Sequence, residues 1–466
     1  MNATTAWLPE IHSTDEPMYL ALANSFADAI ERGTLPTGTQ LPPQRDLAKQ
    51  LGVTVGTVSR AYRLMKKRRL IVGNVGRGTF VSSNHPAAPR AGARTDPSPG
   101  RPVNLVSYRS LAPKLNELVA HAMAEAGRRT NLRPAHKYPP AAGMLSHRAE
   151  AAQWLKQFGL EAAAEQVVVC GGAQMAIAAV LDGLVEHHKP IMTETLTYSG
   201  LRGLCALRNI RLTGLEMDDH GLVPEALEAA CKTRGSRVLF VQPTLHNPTA
   251  ASMPLARRRQ IAEIAIQNNL LVIEDDASAL TAIDRPPPIA TLAPDHTVYI
   301  TSISKGISPA LRLGYMFLPR AMIGKMERAM HSMSLGVSPL APDVMSVLLA
   351  NGSVDDILRA NIDEMQRRHA IAAETLKPID YRYQPGAFFL WLPLQGHWRA
   401  SEFASAALRH DVGVIASDHF KTNRDFPLEA VRLSLAGPAD DHSLRQGLQT
   451  VARLLRHQPE AWTDVV

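Results

Sequence analysis

TVYITSISKGISPALRLGYMFLP, Thr297 to Pro319, carries a single lysine, Lys305, just past an apolar run. Val298 to Ile303 is rich in β-branched residues and bounded by polar turn residues, which predicts a buried strand, and Gly314 to Leu318 predicts another. Lys305 therefore stands where a sheet strand breaks into a loop. Ser302 and Ser304 precede it at minus three and minus one, and Arg312 follows at plus seven. An amine held at a strand end in apolar surroundings gives up its proton readily, because desolvation disfavours the charged form, and the neutral amine can form a Schiff base. Hydroxyls and a guanidinium beside it suit a phosphate. Together they point to pyridoxal phosphate (PLP).

Upstream, from Gln166 onward, strands and helices alternate. Strands are expected at 167–170, 190–193, 210–215, 238–242 and 270–274, with helices between them, which builds a mostly parallel sheet covered on both faces. Ligands on such sheets bind at the carboxyl ends of the strands. The candidate residues fall there. GGAQMA (171–176) follows its strand directly and opens a helix, so the amides near Gly172, Ala173 and Gln174 can hold a phosphate. TETLTYSG brings Tyr198 to the next strand end, where its ring can stack on a pyridine, and PTLHNPT brings Asn247 as a donor to a ring oxygen. IEDDAS places Asp275 where a buried carboxylate would keep a pyridine nitrogen protonated by opposite-charge pairing. Tyr138 in YPPAAG and Arg432 in VRLSL complete the set.

These strings, together with SxSK, six residues and RLGY, resemble the fold-type-I, aspartate-aminotransferase-like PLP proteins over some 330 residues. The resemblance implies that Lys305 carries the internal aldimine, Asp275 pairs with the ring nitrogen, Asn247 contacts the phenolic oxygen and Tyr198 stacks on the ring. It further implies that Ser302, Ser304 and Arg312 join the GGAQ amides on the phosphate, that Tyr138 reaches it from a partner subunit, and that Arg432 takes a substrate carboxylate. Two departures stand out. Where that family has a tyrosine donating to the phenolic oxygen, two or three residues past the aspartate, this chain has Ala277 and Ser278, and Ala250 replaces the glycine of NPTG. Fewer donors then favour the anionic oxygen, and binding survives the change more easily than efficient transamination.

A second module lies at 15–83. Leu22, Phe26 and Ile30 recur at four-residue spacing and predict an amphipathic helix from about Pro17 to Arg32. TLPTGTQLPP reads as a turn-rich connector. Gln44 to Leu51 predicts a short helix closed by Gly52, and Thr54 can cap a third that buries Val58, Ala61, Tyr62 and Met65. LIVGNVGRGTFV predicts a two-stranded wing. LPPQRDLAKQLGVTVGTVSRAY and GRGTFV resemble the winged helix-turn-helix of the GntR family of bacterial transcription regulators. That resemblance implies a third helix presenting Thr54, Thr57, Ser59 and Arg60 to a major groove, Arg45 at a phosphate or base edge, and Arg77 at the wing tip entering a minor groove.

Charge agrees with a polyanion partner. The net charge is +7, and residues 1–100 hold 12 basic against 7 acidic side chains. Seven basic residues and no acidic one lie between Arg60 and Arg77. The three cysteines, Cys170, Cys205 and Cys231, fit neither a disulfide framework nor a zinc site, and the absence of an apolar span or signal core makes a cytoplasmic protein the expectation. Residues 84–102 form a Pro/Ala/Gly-rich linker, and 103–466 the large domain. Fully extended, those 19 residues reach at most about 65 Å.

The expected fold is thus α/β: a winged helix-turn-helix followed by fold-type-I large and small subdomains. The whole resembles the MocR subfamily of GntR regulators. The resemblance implies a PLP-responsive regulator of a double-stranded DNA operator, a head-to-tail homodimer, and a small amine or amino-acid effector. The competing readings are a working aminotransferase carrying a DNA-binding domain, and a dimerisation scaffold that never takes PLP.

Overall fold

A computed structural model describes residues 17–32, 35, 39–67, 70–74, 78–81, 102–129, 137–186, 189–233, 235–396, 398–423 and 426–456. The chain divides into two compact units, residues 1–95 and 96–466. The 84–101 part of the expected linker lies outside the described residues.

In the first unit, helices α1 (Met18–Arg32), α2 (Gln44–Leu51) and α3 (Val55–Lys67) close over one core. Leu22 and Phe26 of α1, Leu47 of α2 and Val58 and Met65 of α3 are all essentially fully buried, and on α1 this is the face that the four-residue spacing predicts. Gly52 ends α2 at φ +66°, the left-handed conformation that a residue with a Cβ resists. Two residues on, the Thr54 hydroxyl accepts the Thr57 N–H at 3.2 Å and starts α3. Tyr62 donates to the Pro42 carbonyl at 2.8 Å, which fixes α3 against the entry to α2. Strands Ile71–Asn74 and Gly78–Val81 pair antiparallel as the expected wing. The connector contains more than turns: Gln40–Leu41 adds a third strand against Gly78–Val81. Two residues are too few for alternation to show in sequence.

The second unit is built on a seven-stranded sheet. Its spatial order is Val167–Cys170, Gly314–Phe317, Thr297–Ser302, Leu271–Asp275, Val238–Val241, Ile191–Glu194 and Leu212–Leu215. Gly314–Phe317 is antiparallel to both neighbours, whereas the other pairings are parallel. Five of these strands are buried along their whole length, which explains their continuous rather than alternating apolar runs. A smaller antiparallel sheet, Phe389–Pro393, Ala430–Ser434 and Ile415–Ala416, shares a core with helices Ser353–Leu376, Ala400–Arg409 and Asp441–Arg456. No helix among the described residues is long and apolar enough to cross a membrane.

Candidate cofactor site

Four neighbouring strands bring their carboxyl ends to one place: Ser302 and Asp275 end two of them, Gln242 follows the third and Glu194 ends the fourth. Lys305 is not in a loop, as the sequence reading had it, but within a single helical turn, Ile303–Gly306. Ser302 makes that turn, because its Oγ accepts the Ser304 N–H at 3.3 Å. The turn is held from two sides. Tyr108 donates its hydroxyl to the Lys305 carbonyl, and Asn361 Nδ2 donates to the Gly306 carbonyl at 2.9 Å. The lysine Nζ lies 3.0 Å from Ser278 Oγ. Burial lowers its ammonium to about 8, with Arg432 adding to the effect and Asp275 opposing it.

Gly172, Ser302, Ser304 and Arg312 come together as a cup. Gly172 sits at φ +91°, and a Cβ there would lie 3.1 Å from Arg312 Nη2 and 3.8 Å from Ser302 Oγ. Arg312 Nη1 donates to Ser304 Oγ at 3.3 Å, and Ser302 and Ser304 hydroxyls are 3.1 Å apart. Helix Ala173–Leu184 starts at this turn, so its first-turn N–H groups add to the positive end of the cup. The Gln174 side-chain amide donates to the Gly200 carbonyl at 3.1 Å, so one of its N–H groups is already engaged away from the cup. A tetrahedral anion matches this donor set. Gly172→Ala, which puts a methyl against the guanidinium and strains a left-handed turn, is expected to weaken PLP binding at least about tenfold. Fluorescence titration of the variant checks this.

Asp275 is 3 % exposed and accepts from Gln242 Nε2 at 2.8 Å and from the Ala277 N–H at 3.2 Å. Burial pushes it up to about 6, against the pull of Lys305. Asn247, also buried, gives its Oδ1 to Arg432 Nη1 at 2.8 Å, which leaves its amide hydrogens as the donor end. Arg432 is placed further by the Val106 carbonyl at 2.8 Å and lies over the rings of Phe389 and Phe420, 5.2 and 5.4 Å from their centroids. Its Nε is buried with no partner. Burial lowers its guanidinium to about 10. Tyr198 stands immediately before helix Ser199–Leu207 and feels the charges of Asp275, Arg432 and Arg312, so it belongs to the same cluster. Tyr138 does not join it: the side chain is 81 % exposed. Ala250 adopts φ +60° in a fully buried position, the conformation at which glycine is at home.

Gln242, Ser278 and Glu194 were not read from sequence as site residues. Each is a common residue type beside a motif, and only the strand order shows that they face Asp275 or Lys305. His246 is a further buried neighbour; bonds to Thr249 Oγ1 at 2.8 Å and the Leu196 carbonyl at 3.1 Å hold the Asn247 loop, and burial lowers it to about 4.

On the other unit, Arg45 and Arg60 are exposed, Thr57 and Ser59 half-buried. The Thr54 and Thr57 hydroxyls lie 2.9 Å apart, so part of their hydrogen-bonding capacity serves the helix start. Arg77 lies outside the described residues.

Residues 102–447 match the aminotransferase class I and II family, and residues 18–81 match the bacterial regulatory proteins of the gntR family. A relative with the same full-length arrangement is the uncharacterised HTH-type transcriptional regulator YdeF of Bacillus subtilis, 30% identical over 461 residues, 97% of this chain and 98% of that one. The chain belongs to the MocR-type regulators. Another relative of this MocR-type chain, the HTH-type pyridoxine biosynthesis transcriptional regulator PdxR of Corynebacterium glutamicum, is 28% identical over 76% of this chain and 78% of its own. Among solved structures, α-aminoadipate aminotransferase LysN of Thermus thermophilus is similar to the MocR-type second unit. It superposes with a TM-score of 0.69 at 25% identity, covering 76% of this chain and 92% of that one. A class I and II aminotransferase fold in a MocR-type chain implies a PLP site, and the phosphate cup, the buried carboxylate and the desolvated lysine fit that cofactor.

Proposed function

We propose that this chain regulates transcription by binding a double-stranded DNA operator through its winged helix while its second unit binds PLP at Lys305. The observation that carries the proposal is a convergence. One lysine, one buried carboxylate and a four-residue anion cup meet at the ends of adjacent strands, in a chain that also bears a gntR-family module. The name of PdxR, which ties that relative to pyridoxine biosynthesis, supports the same reading.

Bound PLP supplies an aldehyde that captures amines and an electron-withdrawing ring. The chain's residues do the rest. Lys305 offers a nucleophilic amine whose proton is weakly held, Gly172, Ser302, Ser304 and Arg312 hold the phosphate, and Asp275 keeps a proton on the ring nitrogen. Arg432 presents its guanidinium to the carboxylate of an amino-acid effector, steadied by Asn247 and by the Phe389 and Phe420 rings. Tyr138, exposed in its own chain, supports a homodimer in which it serves the partner's site, in the head-to-tail arrangement the family suggests. For the effector to change DNA binding it must favour one arrangement of the dimer. A coupling of about 1–3 kcal/mol changes affinity roughly 5- to 150-fold.

The test begins with the absorbance of the purified chain with PLP, before and after borohydride, followed by affinity for DNA selected from a random pool, with and without PLP. A borohydride-fixed chromophore and a PLP-dependent change in DNA affinity are expected. DNA binding no tighter than to random sequence, together with steady transamination, would replace the proposal with an enzyme. Arg45→Ala, which removes an exposed cation from the start of α2, is expected to weaken operator binding and leave PLP binding unchanged. Its log–log salt slope should flatten by about 0.9 if Arg45 meets one phosphate.

A further inference from the structure

Asp275 and Glu194 are two buried carboxyl groups on strands separated by one other. That intervening strand, Val238–Val241, ends immediately before Gln242. Gln242 is 6 % exposed and bonded to both groups: its backbone N–H donates to Glu194 Oε1 at 3.1 Å, and its side-chain Nε2 donates to Asp275 Oδ2 at 2.8 Å. Its own Oε1 is buried without a partner. An amide that leaves its acceptor unsatisfied to aim its donor at a carboxylate is held there by that carboxylate, because the reversed amide would set oxygen against oxygen.

We propose that Gln242 is a positioning residue for the cofactor site: its amide fixes the Asp275 carboxylate and keeps it ionised for a pyridinium partner. The proposal rests on the PLP reading and adds the residue on which the ring-nitrogen contact depends. Asp275 needs such help. Burial disfavours its charge and Asp276 repels it, while Lys305 and the donors from Ala277 and Gln242 support it. Glu194, which burial pushes to about 7, and the Tyr198 phenol both feel the Asp275 charge and gain nothing from it. A protonated Asp275 cannot hold a ring proton by charge pairing, so cofactor affinity must fall as pH drops through the titration of Asp275. Losing one donor to the ionised form moves that titration upward.

The experiment is a PLP titration of the full-length chain between pH 5 and 8, for wild type, Gln242→Met and Gln242→Glu, with circular dichroism to verify folding. Methionine keeps the length of the side chain and removes the donor; glutamate sets a second acid against Asp275. In Gln242→Met the acid limb of PLP affinity should move up by about one pH unit, giving about tenfold weaker binding at pH 5 and near-wild-type binding at pH 8. Gln242→Glu should move it further, and decides the matter if the methionine variant does not fold. Equal loss of affinity at every pH, or an unmoved limb in a folded variant, would overturn the proposal while wild-type uptake upheld the PLP reading. Failure of the wild type to take PLP would overturn both.

Discussion

Lys305→Ala is expected to abolish the visible chromophore formed with PLP and all borohydride fixation of the cofactor to the chain. The reason is where this amine is held. Its Nζ is 3.0 Å from Ser278 Oγ, on a turn whose backbone is tied to Tyr108 and Asn361. Burial lowers its ammonium from 10.5 to about 8. At pH 7 that makes the neutral, attacking form roughly 300-fold more abundant than in an exposed lysine. The direction of the shift gives a second readout. Since only the neutral amine attacks, the rate of PLP capture by wild type should rise with pH and level off near 8, whereas an exposed lysine would still be gaining at 10. The phosphate cup keeps its donors in this variant, so weak, non-covalent PLP binding should persist in Lys305→Ala even though Asp275 loses the Lys305 charge that favours its ionised form. An unchanged visible spectrum would remove Lys305 from the site.

Phe26→Ala should unfold the DNA-binding module and leave the PLP unit intact. Phe26 is 1 % exposed, and its ring meets that of Tyr62 edge-on at 6.2 Å, which joins α1 to α3. Truncating a buried phenylalanine costs about 3–5 kcal/mol. A module of some 65 residues buries too little surface to absorb that loss, because small domains have marginal stability. The expected result is loss of sequence-specific DNA binding with the PLP spectrum and the melting transition of the larger unit preserved. Retained DNA affinity would mean that the first unit draws stability from elsewhere than its own core.

Much of this was legible in the chain because the physics is local. Buried parallel strands write continuous apolar runs, and those of Val167–Cys170 and Val238–Val241 were bounded in sequence to within a residue of where they lie. Helix ends were readable where a glycine or threonine does the capping, as Gly52 and Thr54 do. Lys305, Asp275, Asn247 and Arg432 were marked by motifs whose residue types the chemistry requires. The strand Gln40–Leu41 and the helical turn around Lys305 were not, since neither is long enough to show a period.

By itself, then, the sequence determined the two modules, their order and the residue types able to hold PLP, since patterning and capping act within a few residues. Only the tertiary structure decided which of those residues meet. Strand order set Gln242 between Glu194 and Asp275 and brought Ser278 to Lys305 Nζ, across separations of 48, 33 and 27 residues. It also decided that buried Arg432 is steadied by Asn247, 185 residues away. Hydrogen bonds and desolvation depend on distance in space, and neither residue spacing nor composition records that distance once the chain crosses from one strand to another.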